Sequence, residues 1–149
     1  MSHLHTAAVM STLAPITVSV TVACSPEQAW HAFTDPAAIM GWNFASPDWH
    51  CPAARNDLRA GGTFSYRMEA RDGSMGFDYE GTFLGVAPHR TLRLALGPDR
   101  EVRIEFAPTD HGTIVSQTFT PDTDVPAEQQ RVGWQSIMDN YREYTNRVT

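Results

Sequence analysis

The sequence contains no apolar run near the ~20 residues that a membrane-crossing helix requires, so no span is expected. Cationic side chains are few: 11 stand against 17 acidic ones, giving a formal charge of −6. They form no cluster that would follow a phosphate backbone or an anionic bilayer, which removes nucleic acid from the expected partners. Met1 to Pro15 holds no Lys or Arg to act as the n-region of a secretory signal, and the expected location is the cytoplasm. Cysteine is nearly absent. Cys24 and Cys51 fall in different expected elements, without the paired spacing of a zinc site or redox dithiol, and are expected to be reduced thiols. His3 and His5 are two ligands on a polar terminus and do not make a coordination shell, so no metal and no cofactor is expected. Internal repeats and low-complexity linkers are also missing.

What is present is ordinary for a globular protein, with 42% hydrophobic and 19% charged residues over 149 positions. A chain of that length buries about 70% of its unfolded surface around one core. Residues 1–15 are expected to form a flexible tail and residues 16–149 a single domain.

From Ile16, the valines 18, 20 and 22 alternate with Thr17, Ser19 and Thr21, the period of a strand with one buried face. Ser25-Pro26 then gives an N-cap and first helical residue, and Ala29, Trp30 and Phe33 an apolar stripe. Asp35-Pro36 repeats the start signal for a second short helix, which should end near Met40-Gly41. Trp42 to Ala54, with Trp42, Phe44 and Trp49 punctuated by Pro47 and Pro52, is expected to be a loop covering apolar surface. A short strand over Asn56 to Arg59 should lead into the Gly61-Gly62 turn. Alternation then marks strands through Phe64, Tyr66 and Met68; Phe77, Tyr79 and Phe83; Leu92, Leu94 and Leu96; Val102, Ile104 and Phe106; and Thr113 to Thr120. Finally Gln130, Trp134, Ile137, Met138, Tyr141, Thr145 and Val148 recur at three and four residues, an amphipathic helix of about twenty residues starting near Pro126. Gly133 within it suggests close approach of a backbone or ligand.

The expected architecture is α+β: a curved antiparallel sheet of six or seven strands wrapped on one long C-terminal helix, with two short helices after the first strand. Such a sheet has more concave area than one helix covers, and a cavity follows. Trp42, Trp49, Tyr66, Met68, Phe77, Tyr79, Phe83, Ile104, Gln117, Phe119, Trp134, Met138 and Tyr141 are its expected lining. Gln117 shares a face with Val115 and Phe119, and with Phe119 inward it becomes a polar handle. The mouth is expected at the 42–54 loop, with His50 as a polar group there. The competing interpretation is that these side chains pack solid.

The order of elements, together with Trp42, Gly61-Gly62 into FSYRM, FDYEG at Phe77 to Gly81, QTF at Gln117 to Phe119, and QRVGWQSIMDNY from Gln130 to Tyr141, resembles the activator of heat-shock-protein-90 ATPase homologue family. That family lies within the START-like, SRPBCC (Bet v 1-like) superfamily, and the likeness covers roughly residues 16–144. The resemblance implies a β-α-α-β(6)-α helix-grip fold. It also implies an internal site for lipids, sterols, hormones or polyketides, a minority of the superfamily catalysing cyclisation, aromatisation or ring oxidation. It transfers no catalytic motif. A chaperone is the weaker partner expectation, because the family's eukaryotic namesake uses an additional N-terminal domain for which Met1 to Pro15 is too short.

For chemistry, the strongest cluster is Asp48, His50 and Cys51 around Trp49, where a His could act as acid or base. Consecutive side chains on extended backbone point different ways, so no catalytic residue is assigned. Three readings follow: a carrier of an apolar, aromatic or lipid-like small molecule; a small cyclase- or hydrolase-like enzyme; and a chaperone-associated module. The first rests on the cavity. Monomer and homodimer are both compatible with the sequence.

Overall fold

The computed structural model describes residues 14–149. The His3 and His5 pair and all but the last two residues of the expected tail lie outside them.

Strand β1 (Ile16–Val22) buries every second residue, as its alternation requires. Helix α1 (Pro26–Thr34) starts on a capping box: the Ser25 side chain accepts from the Gln28 N–H, and the Gln28 side chain returns to the Ser25 backbone. Helix α2 (Pro36–Ile39) begins where the Asp35 carboxylate caps Ala38 N at 3.2 Å. The chain then runs through β2 (Trp49–Asn56), β3 (Thr63–Ala70), β4 (Gly76–Ala87), β5 (Thr91–Gly97), β6 (Arg100–Thr109) and β7 (Gly112–Phe119), and ends in α3 (Ala127–Val148). The seven strands make one curled antiparallel sheet in the order β1-β7-β6-β5-β4-β3-β2. With α3 against it, this is the helix-grip arrangement.

Two local expectations are corrected. The 42–54 loop ends at Asp48, because Trp49–Asn56 pair with β3. Pro52 is tolerated because β2 is an edge strand and its ladder is interrupted by a bulge between His50 and Ala53. The strand expected over Asn56 to Arg59 retains only Asn56; residues 57–62 turn, with Gly61 at φ 87°, a conformation that glycine adopts without strain.

The inner face of the sheet, α1 and part of α3 enclose the core, including Val22, Ile39, Phe64, Phe83, Ile104, Phe119, Met138 and Tyr141. The outer face is polar and laced with ion pairs: Arg67 with Glu69 and Asp78, Arg93 with Glu101, and Arg103 with Glu105. Helix α3 runs along β1, where Arg131 and Gln135 donate to the carbonyls of Thr17 and Ser19, both at 3.2 Å. The side-chain amide of Gln130 fixes the connection before it, donating to the carbonyls of Asp122 and Val125 and accepting from Asp122 N. Gly133 has no close neighbour: a Cβ there would meet nothing within 4 Å. The expected backbone approach is therefore absent.

Candidate functional site

Because α3 lies along β1, the middle strands keep part of their concave face uncovered, and a pocket of about 440 Å³ remains. Its floor is Tyr66 and Met68 of β3, Phe83 of β4, Leu92 and Leu94 of β5, and Gln117 of β7; Trp134 and Ile137 of α3 form the opposite wall. At one end Phe33 and Trp42 close it, their rings 5.1 Å apart and both packed on Tyr141. The indole N–H of Trp42 donates to the Ala32 carbonyl at 2.9 Å, which holds the ring across that end.

The other end is open. The ladder between β4 and β5 begins only at Thr82↔Ala95, so Phe77 to Gly81 lack a strand partner on that side. Phe77, Tyr79, Leu96 and Arg100 gather there. The mouth is thus formed by the start of β4 and the β5–β6 turn, not by the loop after Trp42, which contributes only buried Trp42 and Asn43.

Of the residues expected to line a cavity, Trp42, Tyr66, Met68, Phe77, Tyr79, Phe83, Gln117 and Trp134 do so. Trp49 packs its ring 5.9 Å from Phe77, behind the rim. Ile104 is wholly buried in the core. Phe119 stacks flat on the back of Trp134, with ring centres 3.9 Å apart. Met138 takes the Gln117 amide N–H on its sulfur at 3.0 Å. Tyr141 donates its hydroxyl to the Ala29 carbonyl at 2.6 Å, so its polar need is met by backbone. His50 lies on the outer face, with Nε2 3.9 Å from Glu69 Oε1. Nor does the cluster around Trp49 converge: the Cys51 thiol is buried and its nearest acceptor is the Ala53 carbonyl at 3.5 Å.

Phe33, Asn43, Asp78, Glu80, Leu92, Leu94, Leu96, Arg100 and Ile137 also line the pocket and were not foreseen as lining. Alternation could have found Arg100, since it shares the inward parity of Val102, Ile104 and Phe106.

The polar residues of the pocket are Asn43, Tyr66, Asp78, Tyr79, Glu80, Arg100 and Gln117. The Tyr66 hydroxyl accepts from Asn56 Nδ2 at 3.1 Å, and burial pushes it up to about 12. Burial likewise raises Tyr79, with the Tyr66 hydroxyl adding to the rise and Arg100 opposing it. Both phenols are neutral donors at ordinary pH. Gln117 spends its amide N–H on a thioether, a weak acceptor.

The profile described as Activator of Hsp90 ATPase homolog 1-like protein matches residues 23–146. The chain belongs to this family. The AHSA1-like protein from Aeromonas hydrophila is 40% identical, with 89% of this chain and 92% of that one covered and a TM-score of 0.85. Chr148 from Cytophaga hutchinsonii is 44% identical over the same shares, with a TM-score of 0.77. Protein NE0264 from Nitrosomonas europaea, 22% identical over 90% of this chain and 95% of its own, has a TM-score of 0.78 and supports the fold alone. Among curated proteins, none matches the sequence. Family membership agrees with the START-like architecture, and no helix among the described residues is long and apolar enough to cross a membrane.

Proposed function

We propose that this chain is a small-molecule binding protein, one helix-grip unit over residues 16–149 that holds an apolar, aromatic or lipid-like ligand without chemical change. The observation that carries this reading is the pocket of about 440 Å³ with aromatic and aliphatic walls and a handful of polar groups, the composition typical of small-molecule sites. Its closed end is rigid, since Trp42 and Tyr141 are each pinned to backbone carbonyls. A binding role is favoured over a cyclase- or hydrolase-like one because Asp48, His50 and Cys51 do not meet at one point and His50 faces away from the pocket. Both cysteines are free thiols, in keeping with the reducing cytoplasm where we place the protein.

Native mass spectrometry of freshly purified protein, compared with the same sample denatured, tests the reading. A bound species of a few hundred daltons, lost in Tyr79→Ala or Trp134→Ala, is the expected result. An unliganded mass, with no uptake of an apolar fluorescent probe, would leave a packed core and shift the function elsewhere. The second reading, contact with a chaperone, is favoured by the family's description alone. It requires that adding the protein change the ATPase rate of an Hsp90-type chaperone.

A further inference from the structure

A ligand pocket with apolar walls does not account for Arg100. Its position at the head of β6 puts it on the inward parity, and it lines the open end of the pocket. Arg59, Arg67, Arg93, Arg103, Arg131 and Arg142 each lie within 4.0 Å of a carboxylate. Arg55, Arg71, Arg90, Arg100 and Arg147 have no such partner among the described residues; of these Arg100 alone lines the pocket, and its buried Nε–H meets no acceptor. A buried donor on a charged group is among the costliest to leave unmet, and native structures keep few of them.

The acids nearest in the wall do not answer it. Asp78 and Glu80 alternate with inward Phe77 and Tyr79, and their carboxylates face outward: Asp78 Oδ1 accepts from Arg67 at 3.4 Å, and Glu80 Oε2 from the Ser65 hydroxyl at 3.5 Å. Tyr79 lines the same pocket as Arg100, and its hydroxyl makes no hydrogen bond with the described residues. Two donors, one of them cationic, therefore line the same pocket, whose buried apolar walls include Phe33, Trp42, Phe83, Leu92 and Leu94.

We propose that the occupant is a carboxylic acid, its apolar or aromatic body in the depth of the pocket and its carboxylate at the open end, held by the Arg100 guanidinium and the Tyr79 hydroxyl. This rests on the reading of the pocket as a ligand site and adds the head group and the orientation. One guanidinium balances one carboxylate in the fork geometry that suits it. A phosphate monoester would bring a second negative charge beside Asp78 and Glu80, in a chain that already carries −6.

Isothermal titration of the full-length protein with decanoate, 1-decanol and decyl phosphate tests this, using wild type, Arg100→Gln and Arg100→Lys. Wild type should bind decanoate about tenfold or more tightly than decanol, the weight of one charge-assisted hydrogen bond. Arg100→Gln should erase that preference, leave decanol binding within about twofold, and melt no lower than wild type, since the guanidinium makes no ion pair to lose. Arg100→Lys should keep part of the preference, and it carries the test should the glutamine variant misfold. Equal binding of decanoate and decanol to wild type would overturn the carboxylate assignment while the pocket reading stood. Tightest binding of decyl phosphate would replace the carboxylate by a phosphate head. Failure of all three ligands would take down the pocket reading itself.

Discussion

Cys51 shows how far the strand pattern determines the chemistry of a single atom. On β2 its side chain turns inward while His50 turns outward, so the thiol loses water without gaining a base. Burial pushes it up to about 11, opposed in part by a backbone hydrogen bond of Ala53. A thiol with a raised pKa is protonated and a poor nucleophile. In the native protein it should resist iodoacetamide at about pH 8 and react promptly once urea unfolds the chain. The sign of the linked stability follows. Between about pH 9 and 11 the unfolded thiol ionises while the folded one keeps its proton, so the unfolded state binds fewer protons and stability falls as pH rises. Urea midpoints should therefore decline over that window, and Cys51→Ala should flatten the early part. The buried tyrosines act in the same direction at higher pH.

At the scale of elements, α3 offers a test of what a helix loses by carrying glycine. Nothing lies within 4 Å of where a Cβ would sit on Gly133. Gly133→Ala should then raise stability by roughly 1 kcal/mol, read as a higher urea midpoint with unchanged slope. The sequence made α3 and most strands legible because their periods, 3.6 and 2, are imposed by burial on one face. It misread β2 because Pro52 and the crowded aromatics of residues 42–49 look like loop chemistry. An edge strand with a bulge satisfies both, and only the topology reveals the edge. The site was half legible for a related reason. Parity says which face a residue is on but not how deep: Ile104, Phe119, Met138 and Tyr141 have the right face and lie where other side chains cover them. Arg100 has the same parity, but its neighbours Gly97, Pro98 and Asp99 drew it into a turn.

For the whole molecule, the two edges of the sheet govern self-association. On the β1 side, Arg131 and Gln135 of α3 occupy the carbonyls of Thr17 and Ser19. On the β2 side, Pro52 removes a donor and the bulge breaks the ladder. Both devices blunt edge-to-edge pairing. The protein should elute as a monomer in size-exclusion chromatography at micromolar concentration, and Pro52→Thr should shift part of it towards dimer. A dimer in the wild type that survives this comparison unchanged would have to use a face rather than an edge.

The pairing of β1 with β7 also sets a timetable. Thr17 and Thr118 share a hydrogen bond across 101 positions of chain, whereas β2 to β7 pair with their neighbours in sequence. At a synthesis rate of ~5–20 residues per second, roughly 5–20 s separate the emergence of the first strand from that of its partner. During that interval the meander can assemble without it, while Val18, Val20 and Val22 wait in water. Strand β1 is made well before it can be placed, and α3, which then lies along it, closes the fold only when residues 127–148 have left the ribosome.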